Sequence, residues 1–420
     1  MIIRRPRLGT FVNPHWINRQ PNGPELRVLV PGDPWEAQLR EAALDAVRVT
    51  TASVSLPDLH RALASAIAEG RGPDLALIDS VWVREFASAG FLRPLDELDP
   101  EWVADEYETD FLEPFVTANR LDGHPVAVQA EADVAGIWYR RAMLDAIGVP
   151  APRTWAEVRA AGLELKGHRA RRSAEPLVMP GGSRAGETAT YCLLALLAAN
   201  GASVLVDGEV TLDAPATAET LAFLRSLIEE RIMPAEIVAF EWDRAIRTLA
   251  HGDAAMAFGG SYDARLVAAE TGAAPAGVSE EFGFAAMPSG PRGRRGSTLA
   301  GGMVWVIPRQ AARPEAAMRA LTRLTSPEAC ARMSRSTGQI PPRRSAVDLV
   351  AAESPFLSET AAMLRSAVVR PATEAYARVS VQAQSMLEAA LTDRLNADEA
   401  AARGAELIAA ITGLPQRVAR

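Results

Sequence analysis

The feature that most restricts the fold of this chain is an alternation of short apolar runs and amphipathic segments between residues 25 and 90. The apolar runs have the length and composition of buried strands and cover residues 25–30, 47–54 and 74–80. An amphipathic segment follows each run, and the second and third segments end at Gly70 and Gly90. This β-α-β-α-β order predicts a parallel sheet with right-handed crossovers, which would bind ligands beyond the carboxyl ends of its strands.

Acids and tryptophans follow the predicted strands of this sheet. Asp33 follows the first strand and Asp79 ends the third, so both lie where a ligand would bind. Trp35 and Trp82 stand close behind them in the chain. Asp33 is also predicted to be the N-cap of the first helix, with Glu36 placed to complete a capping box.

A further strand-like run, residues 126–140, contains two acids in an otherwise apolar stretch. Because alternate residues of a strand share a face, Gln129, Glu131 and Asp133 are predicted to lie together on one side. Neighbouring carboxylates repel each other unless donors satisfy them, and arginines, backbone amides or ligand hydroxyls could all do so. A glycosidase also uses paired acids, but its acids flank a scissile bond, and the sequence identifies no opposing group.

Composition and spacing exclude several classes of protein. A chain of 420 residues is too long for one compact core, so two lobes of about 150–200 residues are expected. The net charge of −8 disfavours nucleic-acid binding, and no apolar run reaches the roughly 20 residues of a membrane span. Two separated cysteines, Cys192 and Cys330, and five scattered histidines predict neither a disulfide framework nor a metal site. The glycine-rich segment 180–186 fits neither a nucleophile elbow nor a phosphate loop, so no catalytic residue and no cofactor are predicted.

Aromatic residues also occur in the second half of the chain, which is richer in predicted helices. Trp242 opens one of these helices, and Tyr262 follows a strand-like run at residues 254–260. Each aromatic alone is more simply explained by core packing. Aromatic faces combined with acids suit a sugar, which has apolar C–H faces and hydroxyl donors, but they would also suit a polyamine.

Six segments, in their order along the chain, carry a resemblance to a known family. They are residues 70–98, 124–158, 251–262 (HGDAAMAFGGSY), 297–308 (STLAGGMVWVIP), 323–333 and 337–347. In this order they resemble family 1 extracellular solute-binding proteins, the receptors of bacterial ABC importers for maltose, trehalose and related sugars. Each segment alone is a weak signal, but the resemblance extends from residue 25 to about residue 413.

The resemblance implies an α/β, two-lobed periplasmic-binding-protein fold of type II, with a ligand cleft between lobes that are joined by hinge strands. The hinge strands would lie near residues 129–132, 286–288 and 338–341. The implied domains are an N-terminal extension at 1–24, an N-lobe at 25–130 and 286–337, and a C-lobe at 131–285 and 338–420.

The resemblance also implies which residues contact the ligand. In this family the position of Asp133 commonly bonds sugar hydroxyls, with Glu131 beside it, and Tyr191 and Tyr262 match aromatic contacts. Further ligand-binding residues are implied at strand ends, among the aromatic residues and at the hinges, where Arg343 would donate a hydrogen bond from the third hinge. This further set consists of Asp33, Trp35, Asp79, Trp82, Trp242, Gly302, Met303 and Arg343. Many family members have a tryptophan where this chain has Met303, so the identity of the sugar is not predicted.

We therefore expect a non-enzymatic receptor that binds a mono- or oligosaccharide by hinge closure and presents it to the transmembrane subunits of an ABC permease. It would act as a monomer outside the cytoplasm, without a metal or cofactor and without nucleic acid. Residues 1–20 lack the apolar stretch of a signal peptide, so the sequence by itself leaves the localisation open. Two alternatives also stay open: a glycoside-processing enzyme that uses Glu131 and Asp133, and a receptor of the same fold for a polyamine or another non-sugar solute.

Overall fold

The described residues form two compact units in the computed structural model of this protein. These residues are 2–5, 9–12, 25–42, 48–168, 174–273, 275–294 and 296–417. Unit 1 consists of the described residues up to Ala132, together with Gly302–Ser336 and Pro341–Val350. Unit 2 consists of Asp133–Gly301, Thr337–Ile340 and the described residues from Ala351 onward. Residues 13–24 of the predicted extension and residues 43–47 of the first predicted helix lie outside the described residues.

The positions at which the chain passes between the units correct one predicted hinge. The chain crosses after residues 132, 301, 336, 340 and 350. The crossing between Gly301 and Gly302 replaces the hinge expected at 286–288, because the strand Thr298–Gly301 pairs with Asp133–Arg140 inside the sheet of unit 2. The chain between the expected and the observed crossing therefore belongs to unit 2, and the predicted division of the lobes there is wrong. The prediction also placed the last crossing too early, since Pro341–Val350 lies in unit 1.

The predicted parallel sheet is confirmed and forms the centre of unit 1. Its strands lie in the order Arg48–Ser53, Glu25–Val30, Leu75–Asp79, Met303–Val306 and Val128–Gln129. The first three strands are parallel, and the last two are added antiparallel. Leu75 and its neighbours up to Ile78 are fully buried, as expected for a central strand covered on both faces.

Helices and two short hairpins complete unit 1. The helices that lie wholly or mostly in this unit are Trp35–Glu41, Leu56–Ala68, Val83–Ser88, Pro100–Trp102, Val103–Tyr107 (a π-helical turn), Glu108–Asp110, Glu113–Ala118, Pro314–Leu324, Pro327–Thr337 and Arg344–Ala351. The hairpins are Ile2–Arg5 with Gly9–Val12 and Arg120–Leu121 with His124–Pro125. The helix Leu56–Ala68 buries Leu59, Leu63 and Ile67 at four-residue spacing, which is the amphipathic pattern that the sequence indicates.

The first helix does not begin as predicted. It spans Trp35–Glu41, and Pro34 rather than Asp33 occupies the N-cap position. The amide of the first helical residue donates to the carbonyl oxygen of Gly32 at 3.0 Å, so the backbone itself closes the first turn. Asp33 lies at the surface, 3.6 Å from Arg40.

A mixed six-stranded sheet forms the centre of unit 2. Its strands lie in the order Glu175–Val178, Ala254–Gly260, Asp133–Arg140, Thr298–Gly301 and Ala367–Val369, and Phe282–Ala286 also pairs with Asp133–Arg140. A two-stranded ribbon joins Leu205–Val206 to Glu209–Val210. The helices of unit 2 are Arg141–Asp145, Trp155–Gly167, Glu187–Ala199, Pro215–Glu229, Arg244–Ala250, Ala264–Thr271, Pro355–Met363, Tyr376–Leu391 and Ala397–Thr412. Across the described part of the chain, no helix has the length and apolar character needed to cross a membrane.

The run at 126–140 is two strands rather than the single strand predicted. Val128–Gln129 belongs to the sheet of unit 1, and Asp133–Arg140 belongs to the sheet of unit 2. Every residue from Val126 to Trp138 is buried, so no solvent face exists to give a polar alternation. Glu131 and Asp133 therefore do not share a strand face but stand on either side of a crossing between the units.

Each unit buries one of the two cysteines. Cys192 of unit 2 has no exposed surface, and Cys330 of unit 1 is 1% exposed. Both thiols are free.

Replacing Gly302 should destabilise the fold. Its φ is +131°, a backbone conformation that residues with a side chain rarely adopt. A Cβ there would overlap the carbonyl oxygen of Glu131 and lie 2.7 Å from Gln129 Nε2. We expect Gly302→Ala to lower the free energy of unfolding by at least about 2 kcal/mol, measured by urea denaturation.

The matched control for this variant is Gly167→Ala. Gly167 ends the helix Trp155–Gly167, and a Cβ there meets no atom within 4 Å. Because alanine favours a helix over glycine by about 0.5–1 kcal/mol, this variant should match or exceed the stability of the parent. Equal unfolding midpoints for the two variants would show that the steric argument at Gly302 is mistaken.

Candidate functional site

Asp133 and Tyr191 form a buried hydrogen-bonded pair in unit 2. Asp133 begins the strand Asp133–Arg140 and is 7% exposed, and Tyr191, in the helix Glu187–Ala199, is 3% exposed. The Tyr191 hydroxyl donates to Asp133 Oδ1 and lies 3.1 Å from the carbonyl oxygen of Leu299. Burial first, and then the Asp133 charge, raise the pKa of Tyr191 well above its usual value of 10. The tyrosine therefore stays protonated, and two predicted site residues meet across 58 positions of sequence.

An arginine that the sequence analysis did not single out lies next to this pair. The guanidinium carbon of Arg370 lies 5.4 Å from the centroid of the Tyr191 ring, within cation–π distance. The Arg370 side chain is 7% exposed, and its Nη1 donates to Glu187 Oε1 at 3.0 Å. Glu187 also accepts hydrogen bonds from the hydroxyls of Tyr376, at 2.6 Å, and Ser380, at 2.7 Å. This network fixes the orientation of the guanidinium beside the tyrosine.

The missing side chain of Gly301 allows these groups to pack closely around its Cα. A Cβ at this position would lie 3.0 Å from Arg370 Nη2, 3.0 Å from Asp133 Oδ1 and 3.2 Å from Tyr191 Cε2. A carboxylate acceptor, a guanidinium donor and an aromatic ring edge thus converge on one point. We call Asp133, Tyr191, Gly301 and Arg370 the polar cluster of unit 2.

Tyr262 and Asp263 extend the polar cluster. The centroid of the half-buried Tyr262 ring lies 5.9 Å from that of Tyr191, and the two rings are tilted by 51°. Asp263 is 2% exposed, and its Oδ2 accepts a hydrogen bond from the amide of Gly260 at 2.9 Å. Burial is the main reason that the pKa of Asp263 is raised to about 8, and the charge of Asp133 raises it further.

Glu131 stabilises the fold of unit 1 from a buried position. It is 3% exposed, and its Oε1 accepts a hydrogen bond from the amide of Met303 at 2.9 Å. Its backbone carbonyl accepts from Gln129 Nε2 at 2.8 Å. Met303 is itself 9% exposed and packs in the core of unit 1. The Glu131 carboxylate therefore holds the first residue of the strand Met303–Val306 in place.

A second acid and an aromatic ring lie at the carboxyl end of a central strand of unit 1. Asp79 ends the strand Leu75–Asp79, and its Oδ1 accepts from the amide of Val81 at 3.2 Å. The Trp82 ring is half-buried and meets His60 edge-on, with 5.2 Å between the ring centroids. The sequence predicts a ligand contact at this strand end, and for both residues it stays a prediction.

Two predicted site residues of unit 1 instead take part in its packing. Trp35 is 5% exposed and packs edge-to-face against Trp305, with 6.1 Å between the ring centroids. Arg343 is 3% exposed and donates to Asp110 at 2.6 Å, to Glu106 at 3.0 Å and to a backbone carbonyl at 3.0 Å. The guanidinium is engaged within unit 1, so the predicted hydrogen-bond donor at the third hinge is corrected to a structural residue.

Two other predicted residues lie at the surface. The Asp33 side chain is 68% exposed, and Trp242, just before the helix Arg244–Ala250, is 53% exposed. Both are accessible to solvent, and a ligand contact at either position stays a prediction.

Glu187 and Arg370 were not predicted as site residues, although the sequence contains a signal for each. Glu187 and Tyr191 are four positions apart on one helix, so they share a face. Arg370 directly follows the edge strand Ala367–Val369, where the chain leaves the sheet. The ion pair between Glu187 and Arg370 joins positions 183 residues apart, and no local sequence pattern predicts such a contact.

Within the described residues, no group of three histidine, cysteine, aspartate or glutamate side chains could hold a metal ion. A surface groove of about 460 Å³ in unit 2 is lined by residues of the helices that begin at Pro215 and Ala397, and the polar cluster is not among its lining residues.

Comparison with known proteins gives one family and one fold. A family model described as bacterial extracellular solute-binding protein matches residues 33–330. A binding protein of Brucella abortus (strain 2308) is 23% identical over 248 residues, which make up 57% of this chain. The chain spans about half the length of the curated relatives it matches first, since the alignment covers 55% of that protein.

Solved structures of sugar-binding proteins have the same fold. The GacH receptor of Streptomyces glaucescens, determined unliganded and with acarbose, matches with a TM-score of 0.82 at 19% identity, over 94% of this chain and 99% of that chain. Maltose-bound MalE3 of T. maritima matches with a TM-score of 0.77 at 25% identity, over 91% of this chain and 99% of that chain. The likeness confirms the α/β binding-protein fold expected from the sequence.

The raised pKa of Asp263 predicts how stability changes with pH. An unfolded aspartate has a pKa near 3.8, so the folded state binds the extra proton and stability falls as pH rises from about 4 to about 8. Asp263→Asn keeps an acceptor for the Gly260 amide but cannot ionise. Between pH 5 and pH 8 the parent should lose unfolding free energy, by at most about 1.4 kcal/mol per pH unit, relative to the variant in urea titrations.

The exposed Asp145 supplies the control, since Asp145→Asn should leave the pH profile of the parent unchanged. Parallel profiles for the parent and Asp263→Asn would refute the assignment of the titration to Asp263.

Proposed function

Because this chain belongs to the bacterial extracellular solute-binding protein family, we propose that it is the substrate-binding component of an ABC importer and that its ligand is a mono- or oligosaccharide. The observation that carries this proposal is the polar cluster of unit 2. There a carboxylate, a guanidinium and a tyrosine ring converge on the bare Cα of Gly301. A sugar offers hydroxyls that both donate and accept, together with apolar C–H faces, and this combination matches those three groups.

Residues outside the polar cluster complete the proposed contacts. Tyr262 provides a half-buried ring beside Tyr191 in unit 2. In unit 1 the proposal assigns an acceptor to Asp79, which ends the strand Leu75–Asp79, and an aromatic contact to Trp82. The proteins of the same fold named above were determined with acarbose and with maltose, and this supports a saccharide as the ligand.

The proposal assigns binding without turnover. Glu131 and Asp133 began as a candidate catalytic pair, but each carboxylate has its own local bond, Glu131 to the Met303 amide and Asp133 to the Tyr191 hydroxyl. Aryl glycosides and maltose incubated with the protein should be recovered unchanged. Steady release of product would favour the glycosidase alternative.

Transport would follow from ligand-dependent closure. In this mechanism the segments where the chain crosses between units act as hinges, and the sugar shifts the equilibrium toward a closed form that the permease recognises. The protein would act as a monomer outside the cytoplasm, and its partners would be the sugar and the transmembrane subunits of the permease rather than nucleic acid.

Removing the Asp133 carboxylate should weaken sugar binding. We expect Asp133→Ala to cost about 1–3 kcal/mol of binding free energy for maltose, measured by isothermal titration calorimetry, because a sugar hydroxyl and the Tyr191 hydroxyl both lose an acceptor. Asp133→Asn should lose less, since its amide oxygen still accepts a hydrogen bond.

Asp145→Ala removes an exposed acid of the same unit and should bind maltose as the parent does. If Asp133→Ala binds the ligand with parental affinity, Asp133 lies outside the site. A thermal-shift screen of sugars, polyols and polyamines tests the ligand class itself, since a ligand at 100 times its dissociation constant adds about 2.7 kcal/mol of stability. A response to polyamines alone would overturn the saccharide assignment.

A further inference from the structure

A short helical turn, Ser261–Asp263, carries Tyr262 directly after the strand Ala254–Gly260. The Asp263 side chain closes this turn, because its Oδ2 accepts a hydrogen bond from the amide of Gly260 at 2.9 Å. Asp263 is 2% exposed, so the bond lies in surroundings of low dielectric constant that strengthen it. The Asp263 carboxyl group therefore ties together the backbone on either side of Tyr262.

The Tyr262 ring packs directly on the backbone of Gly260. A Cβ at Gly260 would lie 2.1 Å from Tyr262 Cε1 and 2.4 Å from its Cδ1, so the ring occupies the space that a side chain there would need. Trp138, on the central strand of unit 2, donates from Nε1 to the carbonyl oxygen of Gly260 at 2.8 Å. The sheet thus holds the carbonyl of Gly260 and Asp263 holds its amide, and both bonds fix the surface on which the ring rests.

The surroundings of Asp263 oppose its ionisation. Burial is the main reason that the pKa of Asp263 rises to about 8, and the charges of Asp133 and Asp243 contribute to the rise. Among the described residues, the charged groups that shift this pKa are both acids. The Cys192 thiol and the Tyr262 hydroxyl also feel the Asp263 charge, but burial raises the pKa of both, so they stay neutral where Asp263 titrates. Asp263 is therefore mostly neutral at pH 7 and ionises near pH 8.

We infer that Asp263 is a positioning residue of the proposed saccharide site, and that it holds Tyr262 in its ligand-binding position only while its own carboxyl group is neutral. The inference rests on the proposed function and adds a regulation of that site by pH. A carboxylate formed at this buried position costs free energy, and the turn Ser261–Asp263 relieves the cost by opening to water. Opening breaks the bond to the Gly260 amide, so the Tyr262 ring loses the surface that fixes it.

Saccharide affinity should consequently fall as the pH rises through 8. Below that pH, Asp263 carries its proton in both the free and the ligand-bound protein, so the affinity is nearly constant. Above it, the free protein must take up a proton before Tyr262 is in place, which lowers the association constant by up to about tenfold per pH unit. Binding at pH 8 should take up about half a proton per saccharide, since half of the free protein is then ionised.

Calorimetry with maltose tests both expectations on the parent protein. Titrations at pH 6, 7, 8 and 9 should give a nearly constant affinity up to pH 7 and a loss of about tenfold between pH 7 and pH 9. Titrations at pH 8 in phosphate and in Tris, whose ionisation enthalpies differ, measure the proton uptake. A constant affinity from pH 6 to pH 9 without proton uptake would overturn the inference and leave the proposed function standing. Absence of saccharide binding at every pH would count against the proposed function, and the inference would fall with it.

The variant Asp263→Asn separates the charge of Asp263 from its hydrogen bond. The amide oxygen can still accept from the Gly260 amide, but the group cannot ionise. This variant should bind maltose with an affinity that does not change between pH 7 and pH 9, and without proton uptake at pH 8. Asp145→Asn removes an exposed acid of the same unit and should keep the pH profile and the proton uptake of the parent. Identical profiles for the two variants would refute the role of Asp263.

A double-mutant cycle tests whether Asp263 acts through Tyr262. Asp263→Ala removes the bond to Gly260 and should weaken maltose binding at pH 7 by about threefold to tenfold. In the Tyr262→Ala background the same change should have little effect, because the ring that Asp263 positions is gone. Equal losses of affinity in the two backgrounds would show that Asp263 does not act through Tyr262. If Asp263→Ala does not fold, Tyr262→Ala alone decides, since its maltose affinity should no longer fall between pH 7 and pH 9.

Discussion

The pairing of the strand Asp133–Arg140 at the centre of unit 2 is the constraint on which the candidate site depends. This strand pairs with three others, and its residues are fully buried from Val134 to Trp138. A shift of its pairing register by one residue would move every side chain to the opposite face of the sheet, so the register is strongly specified. That register sets Asp133 opposite Gly301, and from there Asp133 reaches the hydroxyl of Tyr191. The sheet thus holds the Asp133 carboxylate in one position before a ligand binds. Binding then loses less conformational entropy, because this side chain is already ordered.

The sequence predicted the fold well where a strand has two distinguishable ends and an amphipathic neighbour. The three parallel strands of unit 1 lie within a residue of their predicted bounds, since glycines and polar residues mark their ends. The run from Val126 to Trp138 carries no such mark, because it is buried on both faces in two successive sheets. The crossing at Gly301–Gly302 was missed for a related reason: both sides of it are strands, and only long-range pairing tells which sheet each one joins.

The candidate site follows the same division between local and long-range information. Asp133, Tyr191 and Tyr262 were predicted, and the structure brings them into one neighbourhood of unit 2. Arg370 was not predicted and Arg343 was, although both are arginines near the end of the chain. Both are buried and paired with acids, and what separates them is where each pair lies: Arg343 pairs with Asp110 in unit 1, while Arg370 pairs with Glu187 beside Tyr191 in unit 2. Charge satisfaction is a property of packing, and a single sequence does not contain it.

The burial of one free thiol in each unit has a practical consequence. Burial raises the pKa of the Cys192 thiol far above its usual range and that of Cys330 to about 12, so neither is a thiolate while its unit is folded. Alkylating reagents can then react only when the surrounding core opens. Because Cys192 belongs to unit 2 and Cys330 to unit 1, the labelling rate at each residue reports the opening of the unit that contains it. The native chain therefore carries one kinetic reporter of unfolding in each unit, without any engineered probe.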